Sequence, residues 1–126
     1  FSMGSHSVSH CNLQTERIEI VKYEIEVSYR NLLDQFGQGK YYFAYPFGLL
    51  DKYVYGLVAA SPYVGAVCFG SVLSNWIKTD PYLMKREKIL ATTNRREFQM
   101  LINPAYDFIR AAKAQLIMIK TRRFFR

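Results

Sequence analysis

Residues 41–69 read YYFAYPFGLLDKYVYGLVAASPYVGAVCF. The segment Tyr41 to Tyr45 is aromatic and apolar, and it runs directly into Pro46 and Gly48. A short apolar run closed by proline and glycine is the pattern of a buried strand entering a turn. Asp51 to Ala60 (DKYVYGLVAA) then has helical spacing. Ser61-Pro62 ends it, because the residue before a proline is pushed out of the helical region. Val64 to Phe69 (VGAVCF) is a second short buried strand. Two strands joined through a helix pair in parallel, since a parallel pair needs a crossover that no tight turn supplies. The stretch predicts an α/β fold with parallel strands.

Working outward, residues 15–36 carry Ile18, Val21, Ile25, Tyr29, Leu32 and Phe36 at steps of three and four. That spacing lays them along one face of a long helix. Glu16, Glu19, Glu24 and Glu26 lie off that line, and Glu16 and Glu19 near its start suit the helix dipole. Thr15 is the expected N-cap, and Gly37 with Gly39 the expected stop. On the other side, Gly70 to Lys85 reads as loop, with Asn75, Trp76, Asp80 and Pro81 breaking the pattern. Glu97 to Ile102 and Pro104 to Gln115 read as helices, with Pro104 in a first turn, and Leu116 to Ile119 as a last strand. There is no internal repeat. So few strands make a thin sheet with both edges open, which suggests part of a larger α/β domain.

A length of 126 residues suits one domain and not two. Half the residues are hydrophobic and 21% are charged, a balance that excludes a disordered chain. Cys11 and Cys68 stand far apart in no CxxC spacing and read as free, small, buried side chains. No run of about 18 apolar residues is present, so no transmembrane helix is expected. No secretory leader opens the chain, and its start at Phe1 without methionine suggests residues removed upstream. The net charge of +7 is uneven: residues 84–126 hold eleven lysines and arginines against three acids, whereas the first 83 residues hold six against seven. A basic final third is either a solvated face or a surface for an anionic polymer or lipid.

Residues 3–10 read MGSHSVSH and contain the two histidines of the chain, His6 and His10. Four apart, both rings can reach one cation from a helix face or from a loop running into a helix, and neutral imidazole is a good ligand for zinc. Two ligands do not complete a site, however. Spacing alone leaves three readings open: a metal pair, the scar of an affinity tag, or two ordinary histidines.

The residues that follow carry more. His6-Ser7-Val8-Ser9-His10 with Asn12-Leu13 behind it, then Tyr45-Pro46-Phe47-Gly48 ending FAYPFG, then GAVCFG and LMKREKI (Leu83 to Ile89), resemble in order and spacing the polysaccharide deacetylases, the family-four carbohydrate esterases. The resemblance runs from Met3 to about Ile89, and a tag would not be followed by it. It implies that residues 1–126 are a partial deacetylase domain, strongest over 3–89 with a basic helical part over 90–126, and that its fold is part of a deformed (β/α) barrel. It further implies a hydrolase that removes N-acetyl groups from an amino-sugar polysaccharide. The cofactor would be a divalent metal, usually zinc, held by an aspartate and two histidines, with a second aspartate activating water.

Carried onto this chain, the resemblance makes His6 and His10 metal ligands and gives Ser7 the orientation of their loop. It gives Phe47 the backbone N–H that holds the oxyanion, and lets Tyr45 and Pro46 shape the sugar groove. Three positions depart from it. No Asp-Asp strand precedes His6, so the base aspartate is not in the chain. Ala44 stands where many members carry an arginine, and no third histidine is left to protonate the leaving amine, Lys120 being too loosely placed to claim. These departures make the chain a fragment expected to be inactive alone, its carboxylates coming from the missing N-terminal part of the domain or from a strand-exchanged homo-oligomer. The alternative is a deacetylase-like module that binds glycan or protein without catalysis. A nucleic-acid-binding reading has no supporting motif. The family's habits imply the cell envelope or secretion.

Overall fold

A computed structural model describes residues 3–69, 80–86 and 89–103. The expected helix at Pro104 to Gln115, the expected strand at Leu116 to Ile119 and Lys120 lie outside the described residues, as do most of the basic side chains of the final third.

The elements run β1 (Gly4–Ser5), α1 (Ile18–Phe36), β2 (Tyr42–Ala44), a 3-10 turn (Pro46–Gly48), α2 (Lys52–Ala59), β3 (Ala66–Phe69), β4 (Met84–Arg86) and α3 (Arg95–Ile102). The four strands form one sheet in chain order, each pair parallel. Gly4 stands opposite Tyr42, Phe43 opposite Ala66, and Val67 opposite Met84. The α/β expectation from residues 41–69 therefore holds, with α1 and α2 as the crossovers that parallel pairing requires. The sheet does not close on itself among the described residues, as befits part of a (β/α) barrel.

Strand alternation decides where the core lies. Phe43, Tyr45, Ala66 and Cys68 face the helices and are buried with Val21, Ile25, Val54 and Val58. Rings of Tyr29, Tyr41, Phe43, Tyr45 and Tyr63 meet edge-on or tilted, with centroids 5.1–5.9 Å apart, the arrangement that aromatic quadrupoles favour. Tyr42, Ala44, Val67 and Phe69 alternate onto the opposite face, where Tyr42 and Phe69 are exposed. Cys68 is buried and Cys11 half-buried, and both are free.

Several boundaries differ from expectation. The long helix begins at Ile18 with Arg17 as N-cap and no side-chain cap. Thr15 is instead held in a turn, its N–H and hydroxyl both donating to Asn12 O, while Asn12 Oδ1 accepts from Gln14 N–H. An asparagine that bonds the backbone two residues on builds a turn in competition with a helix. The stop at Gly37 holds: φ is 75°, its N–H donates to Leu33 O, and its own carbonyl accepts from Tyr41 Oη at 2.7 Å. Met84 and Lys85, read as the end of a loop, belong with Arg86 to strand β4. The helix expected from Glu97 starts at Arg95, two residues early, because Asn94 and Glu97 form a reciprocal capping box.

Candidate metal centre

The loop after β1 carries both histidines at the carboxyl ends of the parallel strands, the position where open α/β sheets place their sites. His6 Nδ1 lies 2.7 Å from Ala44 O on β2. A carbonyl can only accept, so Nδ1 carries a proton, and in the neutral ring Nε2 then presents the lone pair. That is the tautomer of a metal-ligating imidazole, pinned by the kind of backbone bond that usually pins it. His10 Nε2 stands 3.1 Å from His6 Nε2, the two rings meeting edge-on at 76°. Two nitrogens bound to one tetrahedral zinc at ordinary bond lengths would be about 3.3 Å apart. The pair therefore fits as two ligands of one divalent cation. Among the described residues no third histidine, cysteine or carboxylate joins them.

The loop is strained and held. Positive φ at non-glycine positions occurs, among the described residues, at Ser7 (65°), His10 (58°) and Phe47 (56°). Such backbone costs on the order of 1–3 kcal/mol per residue and persists only where the surroundings over-determine it. Here they do. Ser7 Oγ accepts from His10 N–H at 3.0 Å. Glu24 of α1 accepts from Val8 N–H at 2.7 Å, Ser9 N–H at 2.8 Å and Ser9 Oγ at 2.7 Å. Burial pushes the Glu24 carboxyl up, but the bonds from Ser9, Val8 and Ser7 outweigh it and hold the group below the ordinary carboxylate range.

Sequence reading missed Glu24, placing it with the acids that lie off the apolar line. It is in fact 3% exposed. The available signal was its place three residues after Val21 and four before Ser28, inside the buried stripe of α1.

Phe47 lies across the site. Its ring meets His10 edge-on with centroids 4.6 Å apart, and it is 55% exposed. Tyr45 and Pro46 do not line a groove: both side chains are buried, and Tyr45 Oη donates to Tyr82 O. Burial raises the Tyr45 hydroxyl well above its usual range. The expectation of a sugar groove shaped by these two is corrected, because strand alternation turns Tyr45 toward the helices. The tight turn depends on Gly48, whose φ is 67° and whose missing Cβ would collide with Phe69 Cβ.

No family model and no curated protein matches the sequence. Solved structures do. The Streptococcus pyogenes deacetylase PplD, in complex with acetate, superposes with a TM-score of 0.70 at 20% identity, over 79% of this chain and 43% of that one. BA0330 of Bacillus anthracis, a candidate polysaccharide deacetylase, superposes with a TM-score of 0.69 at 25% identity, over 82% of this chain and 32% of that one. The fold is that of the polysaccharide deacetylases. The chain spans less than half the length of either of these two structures. Among the described residues, no helix of the deacetylase-like chain is long and apolar enough to cross a membrane.

Proposed function

We propose that this chain is the histidine-bearing part of a metal-dependent hydrolase that removes N-acetyl groups from an amino-sugar polysaccharide. One observation carries the reading: two imidazole Nε2 atoms 3.1 Å apart on a loop held in strained backbone, in a fold shared with deacetylases. A divalent cation bound there, zinc above all, would polarise the acyl carbonyl and acidify a water. His6 and His10 would hold it. Ser7 keeps His10 at its angle, and Ala44 O keeps the His6 ring from turning. The backbone N–H of Phe47 would donate to the acyl oxygen as it gains charge, and the Phe47 ring would border the sugar.

The water-activating carboxylate and the third ligand would come from the N-terminal part of a longer domain, or from a strand-exchanged second copy. Without that base, hydrolysis falls on the order of 10²–10⁴-fold, so the chain alone is expected to be close to inactive. The whole of residues 1–126 would then be one partial domain, working at the cell envelope or after secretion on an N-acetylated polysaccharide.

Cobalt(II) titration tests the reading. A d–d absorption band should appear with the chain and disappear in both His6→Ala and His10→Ala. Native mass spectrometry should find one metal per assembled site. Metal uptake that ignores His6→Ala would overturn the reading and leave a non-catalytic glycan- or protein-binding module.

A further inference from the structure

Helix α3 (Arg95–Ile102) buries none of its residues. It is also the most two-sided of the three helices, its apolar and polar residues parted onto separate faces. Phe98, Leu101 and Ile102, at steps of three and four, form the apolar face, and Phe98 and Ile102 are 42% and 62% exposed. The chain before the helix adds to this surface. Ile89 and Leu90 are exposed, and a tight turn fixes Leu90, whose N–H donates to Thr93 Oγ1 while its carbonyl accepts from Thr93 N–H. A groove of about 490 Å³ lies between turn and helix, with Leu90, Met100 and Leu101 among its walls. Arg95 and Arg96 are exposed in the first turn of α3, where the helix dipole disfavours cations. The helix gains nothing from that placement, whereas an anion facing the turn would. Glu97, the one acid of α3, is held in the cap, where it accepts from Asn94 N–H. Residues 104–126 add six lysines and arginines against one acid.

We propose that α3 and the turn before it dock on an anionic lipid surface, the helix lying in the plane of the headgroups. Arg95 stands three residues before Phe98, at the margin of the apolar face. From there its carbon stem can lie along hydrocarbon while the guanidinium stays among the phosphates. A hydrophilic polyanion would match the charge but leave Phe98 and Ile102 in water. The boundary between headgroups and acyl chains takes both. The capped helix start and the closed turn present the surface ready-made, which lowers the ordering cost of binding. Among the described residues no helix is long and apolar enough to cross a membrane, so the contact is interfacial. The inference goes beyond the deacetylation reading and does not depend on it.

Vesicle co-sedimentation of the metal-free chain, with chelator present, tests it. Vesicles of phosphatidylcholine mixed equally with phosphatidylglycerol should carry the chain down, and phosphatidylcholine alone should not. Added salt should release it, because the attraction is screened. Arg95→Glu and Phe98→Ser should each weaken binding about tenfold or more. Both side chains are exposed, so the fold should survive either change. In Phe98→Trp, vesicles with brominated acyl chains should quench the fluorescence added over wild type, which adsorption by charge alone would not do. Vesicle binding that ignores Phe98→Ser would mean that basic residues adsorb without the helix, and would overturn the inference. So would binding to a duplex oligonucleotide with none to vesicles, which gives the charge to nucleic acid. Self-association abolished by Phe98→Ser, again without vesicle binding, would give the face to a second copy and overturn it as well. Because no metal is present, each of these failures leaves the histidine-pair reading untouched.

Discussion

Glu24 converts a helix into a foundation for the histidine loop. Its carboxylate, buried in the stripe of α1, takes the N–H groups of Val8 and Ser9 that face it across the loop. Replacing it by glutamine keeps the shape but removes the charge that the N–H groups of Val8 and Ser9 bond, and sets an amide NH2 against Ser9 Oγ in place of an acceptor. Glu24→Gln is therefore expected to lose about 1.5–3 kcal/mol of stability, read by urea unfolding. It should also speed hydrogen exchange at Val8 and Ser9 and weaken cobalt binding, whereas loss of stability without change at those amides would show the clamp to be incidental. The pH dependence follows from the same contacts. The folded carboxyl titrates below its ordinary value of 4.5. Its contribution is thus complete above that value and lost as pH falls through the lower folded one. Wild-type stability should decline across that acid range more steeply than that of Glu24→Gln, and parallel declines would contradict the assignment.

At the scale of elements, the turn between β2 and α2 is the most demanding piece. Gly48 meets the backbone and Cβ of Phe69 on β3 at distances no side chain tolerates, in a left-handed conformation. Gly56, inside α2, has nothing within 4 Å of its would-be Cβ. Gly48→Ala is expected to cost about 2–5 kcal/mol, overpacking added to left-handed strain. Gly56→Ala should gain about 0.5–1 kcal/mol, since alanine loses less entropy in a helix. Paired thermal melts would decide it, and similar effects from the two substitutions would contradict the packing described here. The same contrast explains what was legible. The strand, turn, helix and strand of 41–69 announce themselves through local pattern, and the capping box at Asn94 could have been read from its Asn-x-x-Glu spacing. Met84–Arg86 could not, because a methionine followed by two cations has no strand pattern of its own. It is a strand because Val67, Cys68 and Phe69 pair with it, and tertiary pairing overrides propensity. Likewise His6 and His10 were visible as a motif, while Tyr45 and Pro46 looked available for a groove although the fold buries both side chains.

For the whole molecule, the question is what the sheet edges mean. β2 and β3 are flanked on both sides, and the amides of Phe43, Tyr45 and Ala66 donate to Gly65, Val67 and Pro81 carbonyls. β1 is two residues long and paired on one side among the described residues. Beyond it lies a cavity of about 250 Å³ lined by Ser5, Ser28, Asn31 and Gln35, among others, and Ser5 is buried. A short polar edge beside a histidine loop is the part of the fold least able to resist opening, because few contacts must break. Hydrogen exchange in the chain should therefore find Phe43, Tyr45 and Ala66 exchanging only through global unfolding, with Gly4 and Ser5 about 100-fold faster or more. Since His6 follows Ser5 directly and leans on Ala44 of β2, opening of β1 carries one histidine away from the other. A saturating divalent cation should then slow Gly4, Ser5 and Phe43 by a similar factor, because a ligand that bridges His6 and His10 is lost in the local opening and in global unfolding alike. Equal protection of β1 and β2 in the free chain, independent of protein concentration, would mean that the edge is not open in solution. Protection that rises with concentration would mean that a second copy covers it.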